Sequence, residues 1–151
     1  WRQLVTKRSY VALVEGKLEK NEGKITSWLT EDSRTALVSS SPVDNGGQLA
    51  ITNYKVLKES ALQTDEADLK TEYSLVELNL ETGRTNQIRV HMASMGHPVV
   101  GDRKYGHGNE SSPIDRLCLH ARVLEFIHPM TEKKVRFEAP MPKEFARIFT
   151  Q

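Results

Sequence analysis

The alternation of apolar and polar side chains divides the chain into short segments, most of them with the two-residue period of strands. Residues 7–16, Lys-Arg-Ser-Tyr-Val-Ala-Leu-Val-Glu-Gly, are rich in β-formers, carry apolar side chains on both alternating faces and end in glycine. That pattern predicts a strand inside a sheet. Residues 20–24 are a polar break. A second strand is expected at 35–38, followed by a turn-rich loop at 39–48 that holds Pro42 and Asp44-Asn45-Gly46-Gly47. Residues 49–57 and 72–80 read as strands, and the mostly polar stretch 58–71 reads as a long hairpin loop outside the core. Residues 121–127 and 134–138 are expected to pair around His128-Pro129-Met130-Thr131.

One segment changes period. Ile88, Met92 and Met95 fall at helical spacing, Gly96 stands where a left-handed cap belongs, and Pro98 follows. The spacing predicts a helix of about three turns starting near Thr85, with Thr82 or Thr85 as its N-cap. Residues 103–115 carry loop formers. Pro142 opens a short tail helix with Phe145, Ile148 and Phe149 on one side. Many strands, one clear helix and no alternation of strand with helix argue for an α+β domain with a mainly antiparallel or mixed sheet and few helices.

Composition narrows the function classes. At 151 residues with a net charge of +1, affinity for a polyanion has to come from a local patch. The single cysteine, Cys118, forms no intrachain disulfide and supplies no cysteine-rich zinc site. It points to a reducing compartment, the cytoplasm. No apolar run approaches the roughly 20 residues that a membrane helix needs, so no membrane partner is expected. The five histidines, His91, His97, His107, His120 and His128, are too dispersed for a zinc site.

The chemistry concentrates at Thr82-Gly83-Arg84-Thr85-Asn86-Gln87-Ile88-Arg89-Val90-His91. A strand, a glycine turn and a helix start bring backbone N–H groups to the same corner as Arg84, Gln87 and Arg89, which suits an anion or the polar edge of a base. From helix chemistry alone, ordinary ion pairs of Arg84 and Arg89 with Glu77 or Glu81 are an equal reading.

This segment, with Gly96-His97-Pro98-Val99-Val100-Gly101-Asp102 and Tyr105-Gly106, resembles the central motif of the RluA family of RNA pseudouridine synthases. Residues 7–16 resemble the family's tyrosine motif, and Leu117-Cys118-Leu119-His120-Ala121 with Phe137-Glu138-Ala139-Pro140-Met141-Pro142 resemble its C-terminal strands. The resemblance covers nearly the whole chain in order. It implies an isomerase that turns uridine in structured RNA, ribosomal or transfer, into pseudouridine without cofactor or metal. It also implies that Arg89 pairs with the catalytic aspartate, and that Tyr10 packs against the flipped base and assists proton removal from C5. Arg84, Asn86 and Gln87 are implied as substrate-binding residues, shaping the site or meeting the RNA backbone. Asn86 stands where histidine is common in the family; an amide keeps a hydrogen bond but carries no proton. His91 reads as a structural histidine, and Asp102 as a structural residue of the Gly-Asp turn.

The family's catalytic motif, His-Arg-Leu-Asp, is absent: the six aspartates are Asp32, Asp44, Asp65, Asp68, Asp102 and Asp115, none in that context. The expectation is that residues 1–151 form the C-terminal portion of the catalytic domain, that the nucleophile precedes Trp1, and that the isolated piece is inactive. The alternative is a non-catalytic RNA-binding module of the same fold. Loss of upstream strands is further expected to expose a sheet edge at or beside the Tyr10 strand and to drive a non-native dimer.

Overall fold

The computed structural model describes residues 5–63, 70–106, 116–143 and 145. Its strands are β1 (Val5–Glu15), β2 (Glu22–Glu31), β3 (Val38–Ser41), β4 (Gln48–Gln63), β5 (Lys70–Leu80), β6 (Leu119–Ile127) and β7 (Lys134–Glu138), with one helix, α1 (Gln87–Ser94), between β5 and β6. They form one sheet in the order β3-β2-β4-β5-β1-β6-β7. Every neighbouring pair is antiparallel.

The first strand occupies the place its sequence asks for. Val11, Ala12, Leu13 and Val14 are all fully buried, so both faces of β1 are closed to solvent, as a run apolar on both faces requires. β1 pairs with β5 from Ser9↔Asn79 to Glu15↔Tyr73 and with β6 from Val5↔Phe126 to Ala12↔Leu119. Where β6 ends, the segment after the helix takes over: Val14 bridges Val99, the Glu15 amide donates to Pro98 O, and the Val100 amide donates to Leu13 O. The core gathers around this strand, from Leu75, Val76 and Leu78 to Ile88, Met92, Val99, Val100, Cys118 and Phe145. Each such aliphatic side chain contributes about 1.5–3 kcal/mol when fully buried.

Four expectations are corrected. β2 was not foreseen: it begins inside the supposed polar break. The third strand lies at 38–41 rather than 35–38, because Asp32 Oδ1 accepts the Arg34 and Thr35 amides and Ala36 turns left-handed at φ 58°, which spends 32–37 on a turn. The hairpin loop is much shorter than 58–71. β4 and β5 continue as a two-stranded ribbon to Gln63↔Lys70, past a register shift between Val56 and Lys58. Among the described residues the edge expected beside Tyr10 is not open: β1 is paired on both sides, and the sheet ends on β3 and β7. The tail expected after Pro142 keeps Phe145 fully buried; Ile148 and Phe149 lie outside the described residues, as does most of the loop expected at 103–115.

Candidate active site

The helix ends as its sequence predicts. The Gly96 amide donates to Ala93 O, the His97 amide donates to Met92 O, and Gly96 has φ 85°. This is a Schellman cap, which calls for a residue tolerant of left-handed backbone. Gly101, at φ 81°, adds a steric demand: a Cβ there would stand 2.0 Å from Arg116 O.

The start of the helix differs from expectation. The N-cap is Asn86, itself left-handed at φ 56° and ψ 22°, with no side-chain capping bond, and the helix covers 8 residues. Gln87 does the organising. Its Oε1 accepts the Thr82 hydroxyl at 2.7 Å and the Arg84 amide at 3.1 Å, and its Nε2 donates to Ile51 O at 3.0 Å and Thr52 Oγ1 at 2.8 Å. Thr82 Oγ1 accepts in turn from the Ile51 amide. Two donors and two acceptors exhaust the amide, so Gln87 ties the turn to β4 and has nothing left for RNA. Its hydrogen bonds hold the turn that carries Arg84.

The buried polar file continues inward. Thr52 Oγ1 lies 2.8 Å from His91 Nδ1, and Ser27 Oγ lies 2.7 Å from His91 Nε2. Both nitrogens face hydroxyls that can donate or accept, so the neutral ring is satisfied in either tautomer. Burial pushes the imidazole pKa down to about 4. His91 is a structural histidine, as its sequence position suggested.

Arg89 is committed elsewhere than expected. Its Nε donates to Asp102 Oδ2 at 3.0 Å and its Nη2 donates to Asp102 Oδ1 at 2.7 Å. Burial alone would raise the Asp102 carboxyl, but hydrogen bonds from Arg89 and from the Tyr105 and Lys104 amides hold it below the ordinary carboxylate range. The guanidinium also lies 5.2 Å from the centre of the Tyr105 ring, and the Tyr105 hydroxyl accepts the Val38 amide at 3.0 Å. This cluster locks the Gly-Asp turn against α1 and β3. Nε and Nη2 of Arg89 are thereby held by Asp102, while the side chain still reaches the pocket described next. Neither arginine takes Glu77 or Glu81: Glu77 faces Arg122 at 3.7 Å and Glu81 faces Lys24 at 3.1 Å.

Even so, the residues singled out in the sequence converge. An open pocket of about 180 Å³ is lined by Tyr10, Leu80, Arg84, Asn86, Gln87, Ile88, Arg89 and Leu119. Tyr10 comes from the centre of the sheet, flanked by Leu78 and Ala121. Arg84 comes from the turn after β5, where its Nε donates to Leu49 O at 2.9 Å and directs the remainder of the fork away from that bond. Among the described residues no carboxylate lines the pocket. Asp32 and Asp44 are exposed and bind backbone amides of their own turns. A larger groove of about 430 Å³ includes Lys7 and Ser9, which alternate with Tyr10 and so face the other side of the sheet. Its Arg122 and Arg136 already pair with Glu77 and Glu138. Among the described residues no cluster of His, Cys, Asp or Glu is fit to hold a metal, and no helix is long and apolar enough to cross a membrane.

Comparison with known proteins agrees with this architecture. The family model described as RNA pseudouridylate synthase matches residues 1–94. The chain belongs to this family of RNA pseudouridine synthases, and its curated relatives include ribosomal large subunit enzymes of the RluA group. It is 42% identical over 142 residues to the uncharacterized RNA pseudouridine synthase YhcT of Bacillus subtilis (strain 168), covering 94% of this chain and 43% of that protein. It is 37% identical over 153 residues to ribosomal large subunit pseudouridine synthase D of Zymomonas mobilis, covering 94% and 44%. The chain thus spans less than half the length of these relatives. The solved structure of human RNA pseudouridylate synthase domain containing 1 superposes with a TM-score of 0.75 at 30% identity, over 93% of this chain and 56% of that one.

Proposed function

We propose that the full-length protein containing this chain isomerises uridine to pseudouridine in structured RNA, ribosomal or transfer, and that residues 5–127 supply the wall of the site that receives the flipped base. The observation that carries this reading is the pocket in which Tyr10 and the unspent edge of Arg84 stand together with no carboxylate among the described residues that line it.

In that reaction the N1–C1′ bond breaks, the uracil turns, and C5 bonds to C1′. C5 loses a proton and N1 gains one, so the reaction needs no other reagent. Tyr10 offers the ring on which the extruded base stacks, offsetting the few kcal/mol that flipping costs, and assists removal of the C5 proton. The nucleophilic aspartate comes from outside the 151 residues. Once buried beneath the base, its carboxyl would be pushed up in pKa. Arg84 opposes that shift through its unspent Nη edge, whereas Nε and Nη2 of Arg89 are held by Asp102. The isolated chain, without that aspartate, is inactive.

The test is pseudouridine mapping of RNA from cells that lack the gene, followed by complementation. Loss of specific pseudouridines, restored by the full-length protein but not by its Arg84→Ala variant, is expected. An unchanged pseudouridine map would overturn the proposal; RNA binding without any conversion would favour the non-catalytic module instead.

A further inference from the structure

We propose that Arg8 is a second anchoring residue of the RNA site, holding the backbone phosphate next to the nucleotide whose base enters the Tyr10 pocket. The inference rests on the reading of that pocket as a uridine site and adds the element that grips the strand outside it.

Arg8 and Tyr10 are two residues apart on β1, so their side chains leave the same face about 6.8 Å apart along the strand. The pairing of β1 with β5 is regular at this end, with Ser9↔Asn79 and Tyr10↔Leu78. The Arg8 side chain runs across to the turn that carries Arg84: a Cβ on Gly83 would stand 3.3 Å from Arg8 Cζ and 3.5 Å from its Nε and Nη1. Gly83 is not among the glycines with positive φ. The absence of a side chain there therefore provides room for a guanidinium rather than backbone freedom.

Arg8 is half-buried yet makes no ion pair among the described residues. The carboxylates of the neighbouring strand are spent elsewhere, Glu77 on Arg122 and Asn79, and Glu81 on Lys24 and Asn53. A planar cation seated beside a base pocket, with its fork unfilled and the nearby described acids paired elsewhere, has the geometry of a phosphate receptor. Phosphate contacts of this kind fix the register of a strand without reading its sequence. Two guanidiniums then divide the work, Arg84 at the reacting nucleotide and Arg8 on the chain beside it.

The experiment measures binding of the full-length protein to an RNA transcript carrying its target uridine, over a series of KCl concentrations. Arg8→Gln is expected to weaken binding about tenfold, the effect of losing one hydrogen bond to a charged group. It should also reduce the magnitude of the slope of log affinity against log salt by about 0.7–0.9. Arg8→Lys keeps the charge and should keep the slope. Gly83→Ala crowds the guanidinium and should weaken binding in the Arg8 background but not in the Arg8→Gln background, since the two changes then act through one contact. An unchanged slope in Arg8→Gln, or a Gly83→Ala loss that persists without Arg8, would overturn the proposal while leaving the uridine pocket standing. A wild-type protein that binds no RNA at all would overturn both.

Discussion

Arg89 and Asp102 lock together through two parallel hydrogen bonds, at 3.0 and 2.7 Å, with the carboxylate fully buried and the arginine side chain 22% exposed. In the sequence they are simply the two ends of a motif; in space each neutralises the other. The pair fixes the turn after the helix, and its loss is a matter of stability before it is one of catalysis. Arg89→Ala is expected to cost about 3 kcal/mol, the lower end for breaking a buried pair because Arg89 keeps some contact with water. Asp102→Asn should cost a comparable amount. Urea denaturation of both single variants and the double variant checks this: strict additivity would mean that the contact carries no coupling.

Arg84 should behave in the opposite way. Arg84→Ala in the full-length protein should lower turnover by at least about a hundredfold, the scale of losing a preorganised electrostatic contact, with a change in folding stability of under about 1 kcal/mol. Tyr10→Ala should likewise remove activity. Single-turnover conversion of a uridine transcript and thermal melts of the same samples separate the two effects. If Arg89→Ala abolishes conversion without loss of stability while Arg84→Ala leaves conversion intact, the assignment of the two arginines is reversed.

His91 makes folding stability depend on pH. Its folded pKa, about 4, lies below the ordinary value of 6.5. Between these values the unfolded chain therefore binds more protons than the folded one, and stability falls as pH falls through that window. The neutral histidine contributes fully above pH 6.5. Below pH 4 the loss reaches about 3 kcal/mol, from 1.36 kcal/mol per unit of pKa difference. His91→Gln should be less stable at pH 7 but should flatten this part of the profile; an equally steep fall in the variant would assign the dependence to other groups.

Asn86 carries a left-handed backbone at the head of the helix. Asparagine and histidine are both enriched in that conformation, which gives a backbone reason for an amide to replace the family's usual histidine. Asn86→Val should destabilise by about 1–2 kcal/mol and Asn86→Gly by much less. Asn86→His should fold normally. Equal melting temperatures for Asn86→Val and the parent would remove the backbone argument.

These cases also mark how far the sequence could be read. β1, β5 and the hairpin around His128 to Thr131 are apolar enough on their inward positions to declare themselves, and Gly96 with Pro98 announced the end of the helix. β2 did not, because its inward face is Gly23, Ile25, Ser27 and Leu29. Ser27 is buried to meet His91 rather than to fill the core, and a polar residue serving a buried partner erases the two-residue hydrophobic period. The outer parts of β4 and β5 went unread for a related reason: their pairing runs through polar residues such as Lys58 and Lys70, so backbone hydrogen bonding holds them without an apolar signature. At the site, the motif located all five chosen residues around one pocket. It could not tell which donors were unspent, since the commitments of Gln87 and Arg89 depend on Ile51, Thr52 and Asp102, whose distances no spacing rule encodes. Arg8 was passed over because Gly83 reads as an ordinary turn residue until the arginine lying over it is located.

The central place of β1 sets a timetable for the site. Tyr10 is among the first residues synthesised in this segment, yet β5 and then β6, which hold it on either side, follow far later in the chain. Contacts so distant in sequence must bear the entropy of closing long loops before they return any stability. A nascent chain that has not yet delivered Leu119 lacks the wall on one side of the pocket, even though Tyr10 and Arg84 have already been made. The pocket is therefore completed late, when the C-terminal strands dock.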